Sequence, residues 1–114
     1  MRQQEINIAI AEACGWVKRV SDAGTCLGWL SPAHGRLLFD SVPNYCADLN
    51  AMHAAEDWMH EDGNRGYEYD MQLCNTVKAY EGVGLPCNHM RLYHATAAQR
   101  AEAFLRTLGK WTPG

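Results

Sequence analysis

The densest group of side chains suited to acid–base or metal chemistry lies between His53 and His60. On a helix, His53 would lie beside Asp57 and Glu56 beside His60, because residues four apart are neighbours on one face. Each pair sets a base next to a carboxylate, and His53, Asp57 and His60 could share a metal ion. A solvated helix face with weak ion pairs is the simpler interpretation, so we expect no metal site.

The segment Leu85–His89 matches half of the zinc deaminase signature. That signature needs H-x-E followed by P-C-x-x-C. Here two residues separate His53 from Glu56, and Met90 stands where the second cysteine is required. No cysteine is marked as an activated nucleophile, and no glycine-rich phosphate loop is present. We therefore expect neither enzyme activity nor a cofactor.

A phosphate site is predicted where the last helix begins. Thr96 and Gln99 form a capping box. A helix N-terminus offers unpaired N–H groups and a partial positive charge, and Arg100 in the same turn can add a bidentate phosphate contact. The alternative is that Thr96 only caps the helix and Arg100 only faces water.

Aromatic side chains are candidates for stacking on a nucleobase, although each is more often core or subunit interface. They are Trp16, Trp29, Tyr45, Tyr67 and Tyr69. Stacking and hydrogen-bonding groups are mixed closely at Tyr45, Asn50 and His53. The predicted ligand-binding set is therefore Tyr45, Asn50, His53, Thr96, Gln99 and Arg100.

Three helices are predicted to position these residues. Apolar side chains at helical spacing indicate a first helix that includes Ile6 and Ile10 and ends at Gly15. A second follows Pro43, with Asn44 as N-cap, and ends at Gly63, Asn64 and Gly66. The last runs from Ala97 to Leu108 and is ended by Gly109, with Trp111 folding back onto the core.

Short β-rich segments separate the first two helices. They are residues 16–20, 26–30 and 36–40, joined by turn-forming residues, and they predict an antiparallel meander. Residues 67–80 fit two patterns, since Tyr67 and Tyr69 alternate as in a strand while Tyr69, Leu73 and Val77 are spaced as in a helix. His89–His94 is predicted as a final short strand.

Length and composition indicate one domain spanning residues 1–114, with 47% hydrophobic and 20% charged residues. A net charge of −3 with scattered basic residues argues against DNA or RNA as partners. No apolar run approaches the length of a membrane span, and we expect no signal peptide. Five cysteines without a C-x-x-C pair predict reduced thiols in a cytoplasmic protein.

Three segments together resemble the phage ABA sandwich domain family of short bacteriophage proteins: Ile6–Trp16, Pro43–Glu56 and Ala95–Trp111. Residues 63–94 resemble the family less. The resemblance implies an α+β fold in which a small antiparallel sheet is sandwiched by helices, and a place in the cytoplasm of an infected bacterial host. It implies no particular activity.

Two main hypotheses of function follow, ahead of a third and weaker one, a hydrolase or metal-dependent enzyme that uses His53 and its neighbours. The first is a counter-defence protein that sequesters a nucleotide-derived immune signal, a cyclic nucleotide or an ADP-ribose derivative, without cleaving it. The second is a protein-binding module that inhibits a host or phage partner through an exposed apolar surface. A homo-oligomer is expected in both, because a short chain with four Trp and five Tyr has aromatic surface to bury between subunits.

Overall fold

Four helices and one three-stranded sheet form the part of the chain that the computed structural model describes, residues 1–32, 38–81 and 95–112. In chain order they are α1 (Gln3–Ala13), β1 (Val17–Val20), β2 (Cys26–Leu30), β3 (Leu38–Phe39), α2 (Leu49–His60), α3 (Gly63–Glu81) and α4 (Ala97–Thr107). This architecture confirms the predicted small α+β fold with an antiparallel sheet.

Helix α1 forms as its apolar spacing predicts. Ile6 and Ile10 lie on one face and are buried in the core. Gly15 follows with a φ of +100°, a backbone conformation that suits glycine. The chain then turns directly into β1.

The sheet has the order β1-β2-β3, and its register divides its side chains between two faces. Lys18 and Phe39 stand opposite Trp29 on one face, called here the inner face. Leu30 is flanked by Val17 and Leu38 on the outer face, where Val17 is 57% and Leu38 50% exposed. Apolar side chains therefore lie in a row across all three strands on the solvent side.

Helix α2 begins later than predicted. Its N-cap is Asp48, whose carboxylate accepts hydrogen bonds from the backbone N–H groups of Asn50 and Ala51. The prediction of Asn44 as N-cap is wrong, because the Asn44 carbonyl instead accepts from the N–H groups of Ala47 and Asp48 in a turn that precedes the helix. A carboxylate also suits the positive end of the helix dipole.

Helix α3 settles the ambiguity of residues 67–80 in favour of a helix. Tyr69, Leu73 and Val77 are buried at helical spacing. Gly63 starts this helix, so the prediction that Gly63, Asn64 and Gly66 only end the preceding one is incomplete. The Asp62 carboxylate caps α3 by accepting from the N–H groups of Asn64 and Arg65.

Helix α4 has the predicted capping box at Thr96 and contacts each of the other three helices. Phe104 and Leu105 are fully buried at the centre of the core, and Trp111 packs against that core as predicted. The core thus lies mainly between helices. The predicted strand His89–His94 lies outside the described residues.

The cysteines differ from one another. Cys14, Cys26 and Cys46 are free thiols, whereas Cys74 is disulfide-bonded, so the prediction that every cysteine is reduced is wrong at Cys74. Sequence spacing alone does not show which side chains approach each other. Within the described ranges, none of the helices is both long and apolar enough to cross a membrane.

Candidate functional site

A cleft of about 670 Å³ separates α1 from the inner face of the sheet. This volume lies within the range of small-molecule sites. We call it the amide cleft, because four of its lining residues carry side-chain amides. The lining residues are Gln3, Gln4, Asn7, Ile8, Lys18, Cys26, Trp29, Asp40, Ser41, Val42 and Asn44.

Three of the amides are held in fixed orientations by one another. The Asn44 Oδ1 atom accepts from Gln3 Nε2 at 3.0 Å and from Asn7 Nδ2 at 3.1 Å. Asn7 Oδ1 accepts from the backbone N–H of Cys46 at 3.1 Å. Among the described residues, these bonds leave a donor, Asn44 Nδ2, and an acceptor, Gln3 Oε1, for a bound molecule.

The sheet supplies the charged and aromatic groups of the cleft. Lys18 and Trp29 are cross-strand neighbours on the inner face, and both line the cleft. Trp29 is 7% exposed. Asp40 follows β3 and adds a carboxylate. The cleft therefore combines a cation, an anion, amides and apolar surface.

The free thiol of Cys26 also lines the cleft and is exposed to solvent. The register between β1 and β2 shifts between Arg19 and Val20, so that Cys26 pairs with Val20. This shift accompanies the placement of Cys26 at the cleft. Its thiol is a chemical reporter of whether the cleft is occupied.

Arg100, the residue predicted to bind phosphate, is 7% exposed and is bound within the protein. Its Nη1 donates to Glu56 Oε2 at 2.8 Å, and its Nε donates to the Ala95 carbonyl at 3.0 Å. The same Glu56 oxygen accepts from the Tyr69 hydroxyl at 2.5 Å. A phosphate at this helix terminus would have to compete with Glu56 for the guanidinium.

The environment of Tyr69 in this network also fixes its protonation state. Burial raises the pKa of Tyr69, and the neighbouring Glu56 carboxylate raises it further. The phenol therefore stays protonated and donates its hydrogen to Glu56. Together, Glu56, Tyr69 and Arg100 join α2, α3 and α4 in the buried centre of the molecule.

The other predicted ligand residues are brought together only in part. His53 contacts the Glu56 carboxylate that Arg100 also contacts. Thr96 and Gln99, at the start of the same helix as Arg100, satisfy each other's backbone N–H groups in the capping box. Asn50 is exposed at the start of α2, while Tyr45 is 3% exposed and belongs to the core. The assignment of the predicted set to a ligand stays a prediction.

The histidine pairs predicted on α2 form differently. His53 Nδ1 lies 3.1 Å from Glu56 Oε1, three residues away, and not beside Asp57. His60 Nε2 contacts Asp70 on α3 at 3.0 Å, and its Nδ1 contacts the Glu56 backbone carbonyl. Across the described ranges, no cluster of His, Cys, Asp and Glu is arranged to hold a metal ion.

Sequence reasoning named one member of the amide cleft, Trp29, as a stacking candidate but missed its partners. Gln3 and Asn7 are four residues apart on α1, which was a visible signal for a shared polar face. Asn44 was interpreted as a helix cap. Their convergence depends on how the segment before α2 packs on α1, which no local pattern reports.

Comparison with protein-family models, with curated proteins and with solved structures gives no match.

Proposed function

We propose that the protein binds a nucleotide-derived ligand in the amide cleft and retains it without cleaving it. The observation that carries this proposal is the set of polar residues around the cleft, where hydrogen-bonded amides, Lys18 and Asp40 line the same space. Amide and carboxylate groups suit the donor and acceptor edge of a base. An ammonium suits a phosphate.

The same polar atoms explain why nucleotides are favoured over purely apolar ligands. A hydrophobic ligand would strip water from Asn44, Lys18 and Asp40 without replacing its hydrogen bonds, which is costly. An aminated base can donate to Asp40 and accept from Asn44 while its phosphate reaches Lys18. Trp29 adds apolar surface against the ring.

Retention without cleavage is the role that this chemistry favours. Sequestration needs only complementary contacts, whereas hydrolysis of a phosphate ester needs a positioned base or a metal. With the resemblance to phage proteins, we propose counter-defence in the infected bacterial cytoplasm, with a cyclic nucleotide or an ADP-ribose derivative as the sequestered signal. Binding at the predicted residues around Arg100 would require that side chain to leave Glu56.

Calorimetry with 3′,5′-cyclic AMP and with ADP-ribose tests the proposal. At least one probe should bind, and Lys18→Gln should weaken binding by about tenfold or more, since hydrogen bonds to charged groups contribute about 1.5–3 kcal/mol. Lys110→Gln is the matched control, because Lys110 is exposed near the other end of the chain.

Two further measurements show where the probe binds and whether it is chemically changed. The bound probe should slow alkylation of Cys26, the thiol in the cleft, but not that of the partly buried Cys14. Chromatography of the ligand released by heat should return it unchanged. Failure of both probes to bind, or binding without protection of Cys26, would contradict the amide cleft as the site. A changed product would mean an enzyme.

A further inference from the structure

A second cavity, lined by Cys14, Trp16 and residues of α2, has a different chemistry from the amide cleft. It has a volume of about 550 Å³, and its walls include the indoles of Trp16 and Trp58 and the rings of Pro32 and Pro43. We call it the Trp groove. None of the polar residues of the amide cleft lines it, so the two sites are separate.

The depth of the groove comes from small residues on α2. Ala51 and Ala54 line it between the aromatic walls, and Ala54 is exposed. An alanine leaves space that a leucine or an aromatic side chain would fill. The groove can therefore accept one or two apolar side chains from another molecule.

The aromatic walls are held in place before anything binds. The Trp16 ring packs edge-on against the Phe39 ring, with the centroids 5.6 Å apart. The Trp58 ring lies 5.7 Å from the Phe104 ring, between centroids, and the Arg65 guanidinium covers it at 3.8 Å. Fixed walls lower the entropy lost on binding.

The thiol in this groove adds to its apolar character. Burial raises the pKa of Cys14 to about 11. The side chain is therefore an uncharged thiol at neutral pH and acts as apolar wall.

One rim of the groove is acidic. Asp57 on α2 and Glu61, which caps the end of α2, lie one turn apart. Both are exposed, and neither forms a side-chain ion pair with any described residue. The nearby cation is Arg65, whose N–H groups donate to the carbonyls of Trp58 and Met59. Negative charge thus remains in excess beside an apolar slot.

We propose that the Trp groove binds an apolar segment of another protein that carries arginine or lysine next to its anchor residue. The anchor fills the space above Ala54, and the basic side chain meets Asp57 and Glu61. Protein interfaces commonly bury apolar side chains at the centre and pair opposite charges at the rim. This interaction surface is independent of the proposed nucleotide site.

A synthetic helical peptide of leucine and arginine, with leucine along one face, is the probe. Its fluorescence anisotropy should rise on titration with the protein, and the same peptide with glutamate for arginine should bind at least tenfold more weakly. Raising the salt concentration should weaken the arginine peptide, because the rim charges are exposed. Equal binding of the two peptides would overturn the proposal.

Variants then place the binding in the groove. Ala54→Leu fills it without changing charge and should weaken the arginine peptide about tenfold. Asp22→Arg, in the exposed turn between β1 and β2, is the control and should leave binding nearly unchanged, although it changes the net charge by +2. Circular dichroism checks that both variants fold. The proposal would be overturned if Asp22→Arg weakened peptide binding as much as or more than Ala54→Leu.

A second copy of the chain is the competing occupant. If light scattering shows an oligomer that Ala54→Leu dissociates, the groove is a self-association surface and the proposal is wrong. If the unchanged protein and the Ala54→Leu variant have the same mass in solution, the groove is not a contact between copies. Tighter binding of the arginine peptide than of the glutamate peptide then supports the proposal, and equal binding overturns it.

Discussion

At the residue scale, the most constrained side chain is Glu56. It is 8% exposed on α2, and one of its oxygens accepts from both Arg100 and Tyr69. Burying an ion pair costs much of what its attraction returns, so its presence is weak evidence for stability. Removing one partner is a different matter, because the remaining charge is then buried alone.

Arg100→Met should therefore destabilise the fold strongly, by about 3–5 kcal/mol in the free energy of unfolding. The matched control is Arg106→Met, which breaks the pair between Arg106 and Glu102 on the same helix, in which the Arg106 side chain is 44% exposed. That change should cost less than about 1 kcal/mol. Urea denaturation of the three proteins measures both values, and equal losses would contradict the special role of the Glu56 pair.

His60 gives the fold a dependence on pH. Burial lowers its pKa, but hydrogen bonds to the Asp70 carboxylate and to the Glu56 carbonyl outweigh burial, so that the pKa is raised from 6.5. A pKa that is higher in the folded state means that the proton stabilises the fold. This contribution is present below pH 6.5 and is lost as the pH rises through the folded-state pKa.

Asp70→Asn should consequently lower the thermal midpoint more at about pH 5.5 than at about pH 8, because the lost partner is a carboxylate that favours the imidazolium. Differential scanning calorimetry at the two pH values measures the difference. Asp22→Asn is the control, since Asp22 lies in an exposed turn, and it should shift both midpoints by the same small amount. A larger fall in the thermal midpoint at about pH 8 than at about pH 5.5 would contradict a raised pKa for His60.

At the element scale, the close approach of α2 and α3 depends on one glycine. A Cβ at Gly66 would lie 2.8 Å from His60 Cδ2 and 3.2 Å from His60 Cα. The second atom is backbone and cannot move without shifting α2. A helix pair joined by so short a turn therefore needs a glycine where the two backbones meet.

Gly66→Ala should destabilise the protein, by roughly 1–3 kcal/mol as for other overpacked sites. Gly63→Ala is the matched control in the same helix, because a Cβ at Gly63 meets nothing within 4 Å. Alanine has the higher helix propensity, so that variant should be neutral or slightly stabilised. Thermal unfolding monitored by circular dichroism compares the two, and equal stability would refute the contact.

At the scale of the whole molecule, the exposed apolar side chains predict self-association. Val17 and Leu38 are at least half exposed on the sheet, and Tyr67 and Met71 are exposed on α3. Exposed apolar surface of this kind is commonly buried between subunits. The homo-oligomer expected from the sequence thus stays a prediction.

Multi-angle light scattering tests it directly. At micromolar concentration the measured mass should be that of two or more chains, each of 12.8 kDa. Moderate salt should not dissociate the assembly, since apolar contacts are not screened by ions. A mass of one chain across that concentration range would contradict the prediction.

Much of the fold follows from sequence patterns that act over a few residues. The spacing of Ile6 and Ile10 predicts α1, and the capping box at Thr96 predicts the start of α4. The β-rich segments between them predict the antiparallel sheet. Each signal is local, because helix caps and apolar periodicity involve residues that are neighbours on one element.

Only the tertiary structure determined which side chains of those elements contact one another. Arg100 and Glu56 are far apart in sequence, so no spacing rule shows that the predicted phosphate ligand is buried against a carboxylate. The amide cleft likewise joins Gln3 and Asn44 from separate segments. Side-chain contacts between distant segments depend on packing, and packing is set by the whole chain at once.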